Sequence, residues 1–188
     1  NYVREKKSNY PRISRNYTGY PAQSFIDRIT NDTLILQNEP GVAIDVTIPN
    51  LKNIPVAAII KAELVITQIK SGVAADSLQV PNRLTPVGID ASGVEYEIAD
   101  FIASDINAAI LFVDGAKRAE KDASGNDIVT YRINIPRELQ KAIIDKRNEL
   151  HLRIKGAKGF AGAYRLVAGG RNHGTYKMQL NIVYSKPN

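Results

Sequence analysis

The stretch TYKMQLNIVY at 175–184 alternates apolar and polar residues without a break. Tyr176, Met178, Leu180, Ile182 and Tyr184 fall on one side, and Thr175, Lys177, Gln179 and Asn181 on the other. That period of two fits a strand with one buried face and does not fit a helix. The same pattern recurs in IIKAELVITQ, with Ile60, Ala62, Leu64 and Ile66 inward and Lys61, Glu63 and Thr67 outward. ELHLRIK places Leu150, Leu152 and Ile154 inside, and VTYRINI does so with Val129, Tyr131, Ile133 and Ile135. TLILQ, VAIDVTI, RLTPVGI, AILFV and YRLVA are further strand candidates.

Helical periodicity is confined to PRELQKAIIDK, where Pro136 suits a first turn and Leu139, Ala142, Ile143 and Lys146 are spaced as in a short amphipathic helix over about 136–146. About nine strands separated by Gly, Pro and Asn, with one helix, predict an all-β antiparallel sandwich over 29–188. A doubly wound α/β fold would need helices between its strands. Residues 1–28 lack sustained periodicity and hold four of the nine tyrosines, which predicts an extended basic arm.

Charge is unevenly placed. Residues 1–28 carry six Lys/Arg against two acids, 29–140 nine against fifteen, and 141–188 ten against two. Basic and acidic surfaces on one body fit this better than a uniformly basic nucleic-acid binder. In the arm, Tyr2, Tyr10, Tyr17 and Tyr20 alternate with Arg4, Lys6, Lys7, Arg12 and Arg15. Stacking plus phosphate neutralisation gives a nucleic-acid reading a mechanism. Without a module to anchor it, the expectation is no nucleic acid, and Tyr2, Tyr10, Arg12, Arg15, Tyr17 and Tyr20 are read as contacts to a protein partner.

Zero cysteines exclude disulfides and thiolate chemistry. No apolar run approaches the ~20 residues of a membrane helix. The chain opens on Asn1 with no leader pattern after it, so a signal peptide is expected to be removed or never present.

Catalytic and metal chemistry find few residues. His151 and His173 are the only histidines, without H-E-x-x-H spacing, and no G-x-S-x-G elbow supplies a serine. His151 falls on the outward face of its strand. Glu95 and Glu97 would share a strand face as paired carboxylates for glycoside hydrolysis, although such spacing usually means a wet surface. Asp114, Asp122, Asn126 and Asp127 offer oxygens for Ca²⁺, but Lys117, Arg118 and Lys121 oppose it and a solvated hairpin is favoured. The expectation is no enzyme, no cofactor and no metal.

Gly169–Gly174 is read first as a hairpin between YRLVA and TYKMQL, its glycines supplying positive φ. Arg171, Asn172 and His173 would then project from the loop tip as candidate binding residues.

NDTLILQNEPGVAIDVTIPNLKNI, IIKAELVIT, DSLQVPNRLTPVGID, YRINIPRELQKAIIDKRNELHLRI, YRLVAGG and YKMQLNIVYS, in that order, resemble an uncharacterised family of Bacteroidota lipoproteins, a domain of unknown function. The resemblance spans about 31–185 and rests on many short patterns. It implies a jelly-roll-like sandwich, similar to carbohydrate-binding and adhesin modules, and corresponds to the C-terminal half of such proteins. It also implies export to the outer-membrane surface, with the lipid anchor outside this chain. The family brings no catalytic or ligand-binding residues to carry over. The expected function is a non-enzymatic, surface-exposed structural or accessory subunit acting on an envelope protein partner. The alternative is a carbohydrate-binding module using loops at one end of the sandwich. Absence of Trp, with Tyr131, Tyr176 and Tyr184 expected to face the core, weakens the glycan alternative.

Overall fold

The computed structural model describes residues 32–38, 41–69, 79–102, 105–157 and 163–185, with Asn16, Thr18, Gly19 and Gln23. The arm residues Tyr2, Tyr10, Arg12, Arg15, Tyr17 and Tyr20 lie outside the described residues.

The fold is an all-β sandwich. Ten strands run in chain order: β1 (Thr33–Gln37), β2 (Ile44–Ile48), β3 (Ile59–Thr67), β4 (Leu84–Ile89), β5 (Glu95–Tyr96), β6 (Asp114–Lys121), β7 (Asp127–Asn134), β8 (Leu150–Gly156), β9 (Arg165–Gly169) and β10 (Gln179–Tyr184). They form antiparallel sheets of order β10-β3-β7-β6 and β2-β8-β4-β5, with a two-stranded ribbon β1-β9. The alternation in the sequence sets which side faces in. Ala62, Leu64 and Ile66 of β3, Tyr131 and Ile133 of β7, and Leu150, Leu152 and Ile154 of β8 all join one buried cluster. Tyr131 is fully buried, and its hydroxyl donates to the Pro81 carbonyl at 2.7 Å. A buried phenol without such an acceptor would be costly.

Several expectations need correction. Ile60, expected inward, is 63% exposed, because the core ends at Ala62. Glu63 and Thr67 keep to the outward face as expected but are covered there rather than exposed, Glu63 by Lys61 at 2.7 Å and Arg132 at 3.3 Å. Tyr184 is 45% exposed beyond a register shift at Val183.

Among the described residues from 32 to 185, two α-helices stand where one was expected. AILFV is no strand: it belongs to helix α1 (Ile106–Val113), whose N-cap Asp105 accepts from the Asn107 N–H at 2.9 Å. Helix α2 (Pro136–Ile144) stops two residues short of the expected end. Lys146 at φ 55° turns the chain there, with Arg147 N–H bonded to the Ala142 carbonyl and Lys146 N–H to that of Ile143. That is a Schellman closure made without glycine. The other end of α2 is capped from a distance, since Asp100 accepts from the Arg137 and Glu138 N–H groups, both at 2.9 Å. Glu138 answers by accepting from the Ala99 N–H and the Tyr96 hydroxyl at 2.9 and 2.7 Å. These bonds fasten α2 to the 96–100 segment and satisfy helix donors that Pro136 and Ile135 leave open.

Candidate functional site

The glycine-rich loop is not a hairpin between paired strands. β9 and β10 both run antiparallel to β3 along the same side of it, Ala168 opposite Gln68 and Gln179 opposite Val65. The intervening residues leave that lane and return to it, with Met178 N–H bonded to the Gly170 carbonyl at 3.2 Å. Positive φ is not the reason for the glycines. Gly169 and Gly174 lie outside that region, and a Cβ on Gly169 would collide with the Tyr176 carbonyl.

Side chains then lock the loop. His173 Nδ1 accepts from the Thr175 and Tyr176 N–H groups at 3.2 and 2.9 Å, and its ring stacks on Tyr176 with centroids 5.7 Å apart. The Tyr176 hydroxyl donates to Asp122 at 2.9 Å, which pins the loop to the β6–β7 turn. Of the candidate binding residues, Arg171 and Asn172 are exposed at the tip, while His173 is half-buried and occupied by the loop's own backbone.

The carboxylates of the 114–127 segment are each engaged. Asp114 pairs with Arg118 at 2.5 Å and Asp127 with Lys121 at 2.8 Å. Asp122 accepts from Ser124 N–H, Asn126 and Tyr176. Asn126 above all holds the Asp122 carboxyl down at about 2. Among the described residues no group of three His, Asp or Glu side chains is placed to hold a metal.

One arrangement was not foreseen in the sequence. His151 Nδ1 lies 3.1 Å from Thr47 Oγ1 and its Nε2 lies 2.9 Å from Glu149, a hydroxyl–imidazole–carboxylate row. Thr47 and His151 are register partners on β2 and β8, so strand pairing alone brings them together. The histidine and glutamate are more than two-fifths exposed, and the row lines none of the four clefts of about 840, 450, 530 and 470 Å³. A nucleophile needs a pocket that holds a substrate against it and donors for the developing charge. The row is a surface contact.

Glu95 and Glu97 do line one cleft of about 840 Å³, but β5 ends at Tyr96, so Glu97 leaves the strand. Lys155 first, then Arg153 at 2.9 Å, hold the Glu95 carboxyl below its ordinary range. Arg153 also forks onto Asp45 at 2.7 and 2.8 Å. A carboxylate so paired keeps no proton to give a leaving group, which sets Glu95 apart from a glycosidase acid. The wall of this cleft is apolar, with Leu84, Pro86, Phe101, Ile106 and Ile110. Arg83, just before β4, accepts through its carbonyl from the Ala157 N–H just after β8, so in β4 Thr85 and Val87 turn their backbone groups to β8 while that of Pro86, which lines the cleft, turns to the β5 side. Proline brings no N–H, so a strand added there would lack a ladder bond at that position.

Helix α1 exposes several large apolar side chains. A surface helix normally turns its apolar face to the core, yet α1 buries only Ala109 and Val113. Leu111 is 74% exposed, Ile106 51% and Phe112 47%. The helix stands as a ridge between two clefts: Ile106 and Ile110 line the larger one, and Phe112 lines another of about 450 Å³ with Ile59, Ile60, Pro136 and Ile144. In the sequence, Asp105 directly before an apolar run containing Ala108 and Ala109 is a helix-start signal. The uninterrupted apolar run that follows has the look of a buried strand. No family model, curated protein or solved structure matches the chain.

Proposed function

We propose that this domain is a non-enzymatic interaction module of an exported, lipid-anchored outer-membrane protein, serving as a structural or accessory subunit through protein contacts. The jelly-roll-like wiring, the anchor outside the chain and the envelope setting rest on the family resemblance. The observation that carries the contact role is the α1 ridge, where Ile106, Leu111 and Phe112 stand in solvent beside Ile60 and Ile144. Exposed apolar side chains of this kind suit a contact site, since covering them recovers roughly 25 cal/mol per Å² of apolar area.

The test is co-purification from native envelopes with the intact chain and with Leu111→Ser plus Phe112→Ser. The reading expects a protein that stays with the intact chain and is lost from the double variant, with the melting temperature unchanged. Retention of the same protein by the double variant would remove the ridge from the account. The carbohydrate alternative finds its best support in the polar cleft of about 530 Å³ lined by Asp45, Glu95, Arg153 and Lys155, whose charged groups can bond sugar hydroxyls. A glycan array with Arg153→Ala beside Asn172→Ala separates that cleft from the loop tip.

A further inference from the structure

The cleft beside Phe112 has an unusual balance of apolar surface and charge. Its floor is Ile60, Phe112, Pro136 and Ile144, and its only charged members are Arg137 and Lys141 of α2. The acids of that helix and its end are turned elsewhere. Glu138 is fully buried against Tyr96 and Ala99, and Asp145 pairs with Arg147 at 3.1 Å. Arg137 spends one N–H on the Ile102 carbonyl at 3.4 Å, and Lys141 is exposed. Neither is ion-paired among the described residues. Two cations thus stand at the rim of an apolar hollow into which no carboxylate points.

We propose that this cleft receives an acidic apolar segment of a partner protein. One aliphatic or aromatic side chain would sit on Ile60, Phe112 and Ile144, with an adjacent Asp or Glu carboxylate meeting Arg137 and Lys141. The carboxylate fixes orientation, because guanidinium binds it in a directional fork while the apolar floor alone does not discriminate. The chain's own basic segments carry the wrong charge for this rim. The inference rests on the contact role of the α1 ridge and adds the chemistry of the partner.

A random peptide library displayed on phage, selected against the intact chain and against Phe112→Ser, tests it. All altered side chains here are exposed, and a thermal melt checks each variant's fold. Peptides enriched on the intact chain and absent on Phe112→Ser should carry Leu, Ile or Phe next to Asp or Glu. Their affinity should fall about tenfold in Arg137→Glu with Lys141→Glu, and that double variant should enrich Lys- or Arg-bearing peptides instead. No enrichment, or enrichment without acids, overturns the proposal. So does Phe112-dependent self-association in sedimentation, or Phe112-dependent binding to phosphatidylglycerol vesicles. Loss of the acidic preference alone leaves the ridge standing, whereas native complexes indifferent to Leu111→Ser plus Phe112→Ser bring down both.

Discussion

Gly169 and Asp122 show how much of the last loop is decided by single residues. Gly169 is required by closeness, since any Cβ there meets the Tyr176 carbonyl. Gly169→Ala should lower stability by about 2 kcal/mol in urea unfolding, the usual scale of overpacking a rigid site. Gly174→Ala, which meets nothing within 4 Å and lies outside the positive-φ region, should be nearly silent. Asp122 gives the loop a pH dependence. Its carboxyl is held down at about 2 from an ordinary 3.8, chiefly by Asn126 and with help from the Tyr176 hydroxyl. A depressed folded-state value means the contribution is complete above pH 3.8 and is lost as pH falls through about 2. The difference in melting temperature between the intact chain and Asp122→Asn should therefore be flat from neutral pH to about 4 and shrink toward pH 2. A difference that grew on acidification would contradict the hydrogen-bonding scheme.

The two helices divide labour, and that division can be measured. α2 packs Leu139, Ala142 and Ile143 into the core and is pinned by Asp100, whereas α1 gives the core only Ala109 and Val113. Leu139→Ala should cost about 3 kcal/mol through the lost contacts and the cavity left behind. Leu111→Ala, at 74% exposure, should stay within about 0.5 kcal/mol. Equal costs would mean that α1 belongs to the fold rather than to a contact. The same contrast explains what the sequence made legible. Strands β3, β7, β8 and β10 could be read because a period of two is enforced wherever one face is buried, and α2 because its apolar spacing is helical and it opens on proline. α1 could not be read by periodicity, since a helix that is apolar nearly all round has the pattern of a buried strand. The lane shared by β9 and β10 is set by pairing with the strand β3 and the residues just after it, about a hundred residues away in the chain, so the double glycine could only be read as a local turn. The candidate loop tip was legible as exposed, but not the turning of His173 back onto its own backbone.

At the scale of the whole molecule, the outer faces of both sheets carry chains of ion pairs made within the domain. Asp45, Arg153, Glu95 and Lys155 form one, and Lys61, Glu63, Arg132 and Glu120 the other. Each such pair adds little stability in water, yet together they leave these faces electrostatically settled. Around α1 and the neighbouring cleft, by contrast, Ile60, Ile106, Leu111, Phe112 and Ile144 are exposed. The most direct test of a contact role is site-specific photocrosslinking in native cells, with a diazirine amino acid at position 111 and a control at position 123. The control lies in the turn beyond β6, about 26 Å of strand away from α1. A discrete protein adduct at 111 and none at 123 is the predicted result. Adducts that are absent from both, equal at both, or formed with lipid at 111 would contradict it.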